Sequence, residues 1–172
     1  NGELACVGTE SGNVLWTKSF TKDFGGKMMS GWGFSESPLV DGDRLIVTPG
    51  SNDAMLVALD KKTGDVIWKS AVPKLGDKGN DGAAYSSVVI SNAGGVKQYV
   101  QLVGKGIVSV RADDGKFLWN YNKITNGTAA IPTPIVRDDY VFCSSGYGDG
   151  GAALLKIVKT GDDLRADEVW YK

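Results

Sequence analysis

The side chains best equipped for chemistry in this sequence are scattered rather than gathered in one motif. A carboxylate can act as a base or hold a cation, and the best placed is Glu36, in GFSESP. A hydrogen-bonded loop acid would read the same way. Lys105, in VGKG, is placed either to face an anion or to serve as a plain turn lysine. The segment DKGNDG (77–82) has the partial look of a calcium loop, with Asp77, Asn80 and Asp81 around two glycines. An EF-type loop needs a glutamate at its twelfth position; Val88 stands there, so a polar loop between units is the expectation. GYGDGG (146–151) matches G-x-G-x-x-G through Gly146, Gly148 and Gly151. That fingerprint needs a helix next, and AALLKIVK reads as a strand, so a glycine-rich turn is expected. Gly104-Lys105 is followed by glycine, so it is not a phosphate-binding P-loop.

Several classes of chemistry are disfavoured by composition. The 172 residues include no histidine, which removes the usual general base and the commonest transition-metal ligand. Cys6 and Cys143 lie far apart in apolar runs, with no CxxC or vicinal pair. They read as buried free thiols; a disulfide between them is left open. Net charge is −1, which gives no basic footprint for nucleic acid. No apolar run approaches the ~20 residues of a membrane helix. Asn126-Gly127-Thr128 fits a glycosylation acceptor but reads here as a turn. The chain begins at Asn1 without an initiator methionine or signal peptide, and it reads as a piece of a longer protein.

What positions these residues is a repeat. Trp16, Trp68, Trp119 and Trp170 recur at intervals of 52, 51 and 51 residues. The first three follow a glycine by four residues: Gly12, Gly64 and Gly115. The blocks are ACVGTESGNVLW, VALDKKTGDVIW and VSVRADDGKFLW, and a small residue (Cys6, Ala58, Ser109) stands ten before each tryptophan. In the fourth unit Ala166 occupies the glycine's place, after a longer turn, KTGDDLRADE. A second landmark aligns Ser37, Ser86 and Thr133, spaced 49 and 47.

One unit reads as four short strands: 36–40, a turn at Asp41-Gly42-Asp43, 44–48, 55–59, a turn at 60–64, and 65–71. Alternation puts Val66 and Trp68 on one face. Four strands per 40 to 50 residues is the signature of a β-propeller blade. A lone four-stranded sheet exposes both faces, so it must stack on its neighbours. The tryptophan would wedge into the interface with the next blade, and each glycine would make the turn that fixes the register of its own tryptophan. The expected fold is all-β: a partial β-propeller of about three and a half four-stranded blades from a seven- or eight-bladed ring. Segment 1–20 ends one blade; 33–71, 84–122 and 131–172 are blades.

These residues resemble the pyrroloquinoline-quinone (PQQ) family of propellers, whose tryptophan-docking motif reads A-x-D-x-x-x-G-x-x-x-W. The match is full at Ala58, Asp60, Gly64 and Trp68. It is partial at Ser109, Arg111, Gly115 and Trp119 and at Cys6, Gly8, Gly12 and Trp16. Only Trp170 remains of it in the last unit. The resemblance spans essentially the whole chain, and GWGFSESPLVDGDRLIVTPG is similar to exported PQQ-like repeat proteins of planctomycete-type bacteria.

The family includes quinoprotein dehydrogenases and a non-enzymatic outer-membrane assembly lipoprotein. The resemblance therefore implies a periplasmic or exported, non-catalytic binding or scaffolding propeller, associated with the cell envelope. No catalytic residue, metal or cofactor is expected in this segment. The alternative it implies is a PQQ-dependent alcohol or sugar dehydrogenase using Ca²⁺; a kelch-like interaction domain fits the glycine pattern poorly. Expected partners are the remaining blades or a second chain, and protein segments of the envelope, without nucleic acid or a transmembrane segment. Trp32, Phe34 and Tyr85 precede innermost strands. With Ser35, Glu36, Ser37, Ser86 and Thr133 they would line one mouth of the central channel, a concave site for a peptide or small ligand.

Overall fold

A computed structural model of the chain describes residues 2–148 and 150–172. Among them, strands β1 (Glu3–Val7) and β2 (Val14–Ser19) form a two-stranded sheet. Three four-stranded antiparallel sheets follow: β3 (Leu39–Asp41), β4 (Arg44–Val47), β5 (Leu56–Asp60) and β6 (Val66–Ser70); β7 (Val89–Ser91), β8 (Gln98–Val103), β9 (Gly106–Arg111) and β10 (Phe117–Tyr121); β11 (Ile135–Arg137), β12 (Tyr140–Ser145), β13 (Gly151–Thr160) and β14 (Asp163–Tyr171). Within each sheet the strands lie in chain order, so every connection is local. The chain is a partial β-propeller.

One helical turn, α1 (Phe20–Phe24), was not foreseen from the sequence. It exists because the Asp23 carboxylate accepts the Ser19 amide at 2.7 Å while Gly25, at φ 61°, ends the turn. Phe20 and Phe24 are buried beneath it.

Stacking of blades decides which residues are apolar. Along β5, Val57 and Leu59 face the first sheet, in a cluster with Phe20, Phe24, Val47, Leu4 and Trp16. Ala58 and Trp68 face the third sheet, against Tyr99, Val108 and Val110. A third seam joins Val100, Leu102 and Trp119 to Val141, Cys143 and Leu155. Side chains such as Leu59 and Leu102, at 0% exposure, each contribute roughly 1.5–3 kcal/mol by burial. Cys143 lies in this seam and Cys6 is half-buried; both thiols are free. Burial pushes the Cys143 thiol up to about 12.

Each tryptophan strand carries a β-bulge at the same place. Cys6 pairs with Trp16 but Val7 with Val14; Ala58 pairs with Trp68 but Leu59 with Val66. The same slip occurs at Phe117/Trp119 and at Leu154/Leu155. Leu15, Ile67, Leu118 and Val169 are the inserted residues. The bulge corrects the alternation reading: Val66, 42% exposed, and Trp68, 8% exposed, lie on opposite faces.

The tryptophan wedges into the interface with the next blade, as expected, and the glycine there has a second part. Trp16 lies against Gly64, in the turn of the next blade, and its indole N–H donates to the Lys61 carbonyl at 3.3 Å. Trp68 lies against Gly115 and donates to the Ala112 carbonyl at 3.2 Å. The glycine thus receives the preceding blade's tryptophan besides making the turn before its own. The small residue at minus ten is the cross-strand partner of the indole. Asp60 caps the turn: its Oδ1 accepts the amides of Lys62 and Thr63 at 2.8 and 2.9 Å.

In the fourth unit KTGDDLRADE is mostly strand, not a long turn. Thr160 pairs with Asp163 around Gly161-Asp162, and Ala166 pairs with Ile157. A β-carbon on Gly161 would meet nothing within 4 Å, so no indole lies on that turn, and Trp119 donates its indole N–H to Gln98 Oε1 of its own blade, at 2.7 Å.

Candidate functional site

The segments that lead into β3, β7 and β11 are tied together blade to blade. The Met29 amide donates to the Ala83 carbonyl and the Ala83 amide to the Lys27 carbonyl, both at 2.9 Å; the Tyr85 amide donates to Ala130 at 3.0 Å. The Ser37 amide donates to Ser87 Oγ at 3.0 Å, and the Ser87 amide to Thr133 Oγ at 3.1 Å. These ladders fix a rim on which equivalent positions of three blades come together.

Ser35, Tyr85 and Ile131 each stand four residues before the first strand of a blade. With Trp32, Ala129 and Tyr147 they line a recess of about 320 Å³. Trp32 is 70% exposed, Tyr147 58% and Ile131 49%. Trp32 meets Tyr85 edge-on, with ring centroids 6.0 Å apart at 65°. The Tyr85 hydroxyl is hydrogen-bonded to Ser30 Oγ, which holds the ring upright. Tyr147 has φ 61°, a left-handed backbone that costs a bulky residue roughly 1–2 kcal/mol and that clusters at functional sites. Among the described residues the lining carries no charged side chain and half of it is aromatic, so it can stack on and desolvate apolar groups.

Of the residues expected at the channel mouth, Trp32, Ser35 and Tyr85 line this recess, while Ser37 and Thr133 lie on the exposed rim beside it. Three others turn inward. Phe34 packs edge-on against Phe20, centroids 5.1 Å apart, within the first seam. Ser86 is buried, donating its hydroxyl to the Leu102 carbonyl at 2.9 Å. The landmark slips by one there: Ser87, not Ser86, is equivalent to Ser37 and Thr133.

Glu36 is committed to a network between two blades. Its Oε1 accepts the Thr48 amide at 2.5 Å and its Oε2 accepts Gln101 Nε2 at 3.0 Å. Gln101 in turn donates to the Ser86 carbonyl at 2.9 Å and accepts the Thr48 hydroxyl. Enclosure of the carboxyl pushes its pKa above the ordinary glutamate value, and the bonds from Thr48 and Gln101 only partly offset this.

The remaining motifs are held by structure. Lys105 donates to the Gly76 carbonyl at 3.1 Å and is mostly covered. In the 77–82 loop Asp77 pairs with Lys74 at 2.6 Å, Asn80 donates to Gly127 at 2.9 Å, and Asp81 lies 3.9 Å from both Lys27 and Lys105. These donors diverge and do not form one cation site. Among the described residues no group of three or more His, Cys, Asp or Glu converges on a metal position. Gly151 begins β13, so a strand follows the 146–151 glycines; Asp149 of that motif lies outside the described residues. Asn126 is buried in a turn. It donates to the Ala129 and Gly146 carbonyls at 3.0 and 2.8 Å and accepts the Thr128 and Ala129 amides at 2.7 and 2.8 Å. It thereby anchors the residue before Tyr147.

Ile131, Ala129 and Tyr147 were missed from the sequence. Ile131 carried a usable signal, its offset from the first strand, which the slipped landmark hid. Tyr147 carried none, because its β12–β13 loop differs in length from the equivalent β4–β5 and β8–β9 connections.

A family model described as outer membrane protein assembly factor BamB matches residues 1–170. No curated protein matches the chain in sequence. The chain is similar in structure to BamB from Moraxella catarrhalis, with a TM-score of 0.59 and 15% identity over 99% of this chain and 58% of that one. It is similar to a europium-containing methanol dehydrogenase, TM-score 0.57, 21% identity, 81% of this chain and 24% of that one. It is also similar to the quinohemoprotein alcohol dehydrogenase of Comamonas testosteroni, TM-score 0.55, 16% identity, 81% of this chain and 21% of that one. The chain thus spans 58% of the length of the first and under a quarter of the two dehydrogenases. At these identities the likeness carries the fold alone. Among the described residues no helix is long and apolar enough to cross a membrane.

Proposed function

Because this chain belongs to the outer membrane protein assembly factor BamB family of PQQ-like repeat propellers, we propose that it is part of a non-catalytic binding propeller, exported and working at the cell envelope. Its rim recess takes an extended protein segment with apolar or aromatic side chains. The observation that carries this reading is the recess itself: Trp32, Ile131 and Tyr147 are exposed on a rim whose backbone is pinned from blade to blade. Rigid, exposed aromatic rings without charged partners suit apolar side chains presented in sequence along a chain.

A PQQ-dependent dehydrogenase would need carboxylate and amide oxygens free to hold calcium. The residues described here do not fit that need. Both Glu36 oxygens are taken by Thr48 and Gln101, and Asp77, Asn80 and Asp81 diverge.

The test is a photo-crosslinking amino acid at Tyr147 in the protein expressed in its host. Adducts with envelope proteins that vanish when Trp32→Ala is added support the proposal. Absence of adducts, or PQQ and Ca²⁺ that stay with the protein through gel filtration and give alcohol-dependent dye reduction, contradicts it.

A further inference from the structure

The rim recess offers a bound segment a hydrogen-bond donor on a backbone already spent. Trp16, Trp68 and Trp119 each give the indole N–H to a protein acceptor: the Lys61 carbonyl, the Ala112 carbonyl and Gln98 Oε1. Among the described residues the Trp32 indole N–H has no such acceptor, and this ring lines the recess at 70% exposure. The backbone beside it is committed within the rim. The Tyr85 amide donates to the Ala130 carbonyl. The Ala129 amide donates to Asn126 Oδ1, and the Ala129 carbonyl accepts Asn126 Nδ2. The lining comes from the segments ahead of β3, β7 and β11 and from the β12–β13 loop, not from either end of the chain.

The regular forms of an incoming backbone differ in what they leave unpaired. A strand brings free N–H and C=O groups together and needs an edge that answers both; the Tyr85 and Ala129 groups are not free to form one. A helix bonds its carbonyls internally, so it would leave the Trp32 donor unmet. A polyproline II segment has no internal hydrogen bonds, and each proline carries a carbonyl but no N–H. It gives the Trp32 donor an acceptor and brings few amides that would be buried without a partner. The aromatic geometry agrees. Trp32 and Tyr85 both line the recess, inclined at 65° with centroids 6.0 Å apart, and Ser30 holds Tyr85 in place. Inclined rings give rigid pyrrolidine rings flat walls to lie against, at low cost in entropy.

We infer that the recess selects a proline-rich segment of a partner protein, held in the polyproline II form, with one of its carbonyls accepting the Trp32 indole N–H. The inference rests on the recess being a protein-binding site, as proposed above, and names what that site prefers. The hydroxyls of Ser35 and Tyr147, which also line it, can donate to further carbonyls of the segment.

Isothermal titration of the full chain with short synthetic peptides tests it. One peptide alternates proline with leucine, a second has valine for each proline, and a third is an amphipathic helix. The proline peptide is expected to bind at least about tenfold more tightly than either of the others. Trp32→Phe keeps a ring but removes the donor; it is expected to weaken the proline peptide about tenfold and to leave the valine peptide unchanged. Equal affinity for the proline and valine peptides, both lost in Trp32→Ala, overturns the proline preference and leaves the recess as a site for apolar segments. A helical peptide that binds as tightly as the proline one, or full affinity of Trp32→Phe for the proline peptide, overturns it as well. No binding of any peptide also overturns it, and if crosslinks from Tyr147 are absent too, the recess falls as a protein-binding site.

Discussion

The Trp16 ring lies so close to Gly64 that a β-carbon on that glycine would stand 2.8 Å from indole Cδ2. Trp68 and Gly115 repeat the relationship one blade on, with Cε3 at 2.5 Å. Two blades are therefore keyed together by a ring that only a residue without a side chain can receive. The same turn needs φ near +70°, so steric and backbone demands coincide on glycine.

Gly64→Ala is expected to destabilise the fold by about 2–5 kcal/mol, from left-handed strain and overpacking together. Gly161→Ala makes a control, because Gly161 has φ 62° and nothing within 4 Å of a β-carbon; it should cost only about 1–2 kcal/mol. Urea midpoints of the two variants check this.

Glu36 should titrate above the ordinary glutamate value, because enclosure disfavours its charge. The sign follows from proton linkage. A folded-state pKa above the unfolded one means that the folded chain binds more protons in the window between them. The Glu36 contribution then favours folding on the acid side and is lost as pH rises through the folded pKa. Carboxyl carbon shifts in an NMR titration read the pKa. Unfolding free energy measured across the window should fall with rising pH, and Glu36→Ala should flatten that slope. A midpoint at or below 4.5 contradicts the assignment.

Asn126→Ala should cost about 2–4 kcal/mol, because it strands buried carbonyls and amides at once. The variant also frees Gly146 beside Tyr147. Amide hydrogen exchange in 144–148 should accelerate well before global unfolding, while β8 stays protected.

Trp32→Ala should change stability by less than about 1 kcal/mol, since the side chain is 70% exposed. It should nevertheless abolish crosslinking from Tyr147. Loss of both fold and crosslinks would show that Trp32 is structural.

The repeat was legible because burial between stacked sheets recurs with the blade, so Trp16, Trp68 and Trp119 and their small partners had to recur too. Alternation alone could not reveal the bulges at Leu15, Ile67, Leu118 and Val169, since one inserted residue flips the face of all that follow. Nor could it show that Gly64 also receives Trp16, a contact across 48 residues of chain. Glu36 looked like a rim acid because its partners, Thr48 and Gln101, lie 12 and 65 residues away. The recess was half visible: aromatic type exposed Trp32 and Tyr85, whereas Ile131 depended on an alignment that was off by one.

The interlock of consecutive blades is tested most directly by a double-mutant cycle on Trp68 and Gly115. Unfolding free energies are measured for the native chain, Trp68→Ala, Gly115→Ala and the double variant. If the indole fills the space above Gly115, the alanine there is costly only while the ring is present. The account predicts a coupling of about 1–3 kcal/mol, with Gly115→Ala reduced to its backbone strain once Trp68 is truncated. Additive costs would mean that the two residues do not hold the blades together through each other.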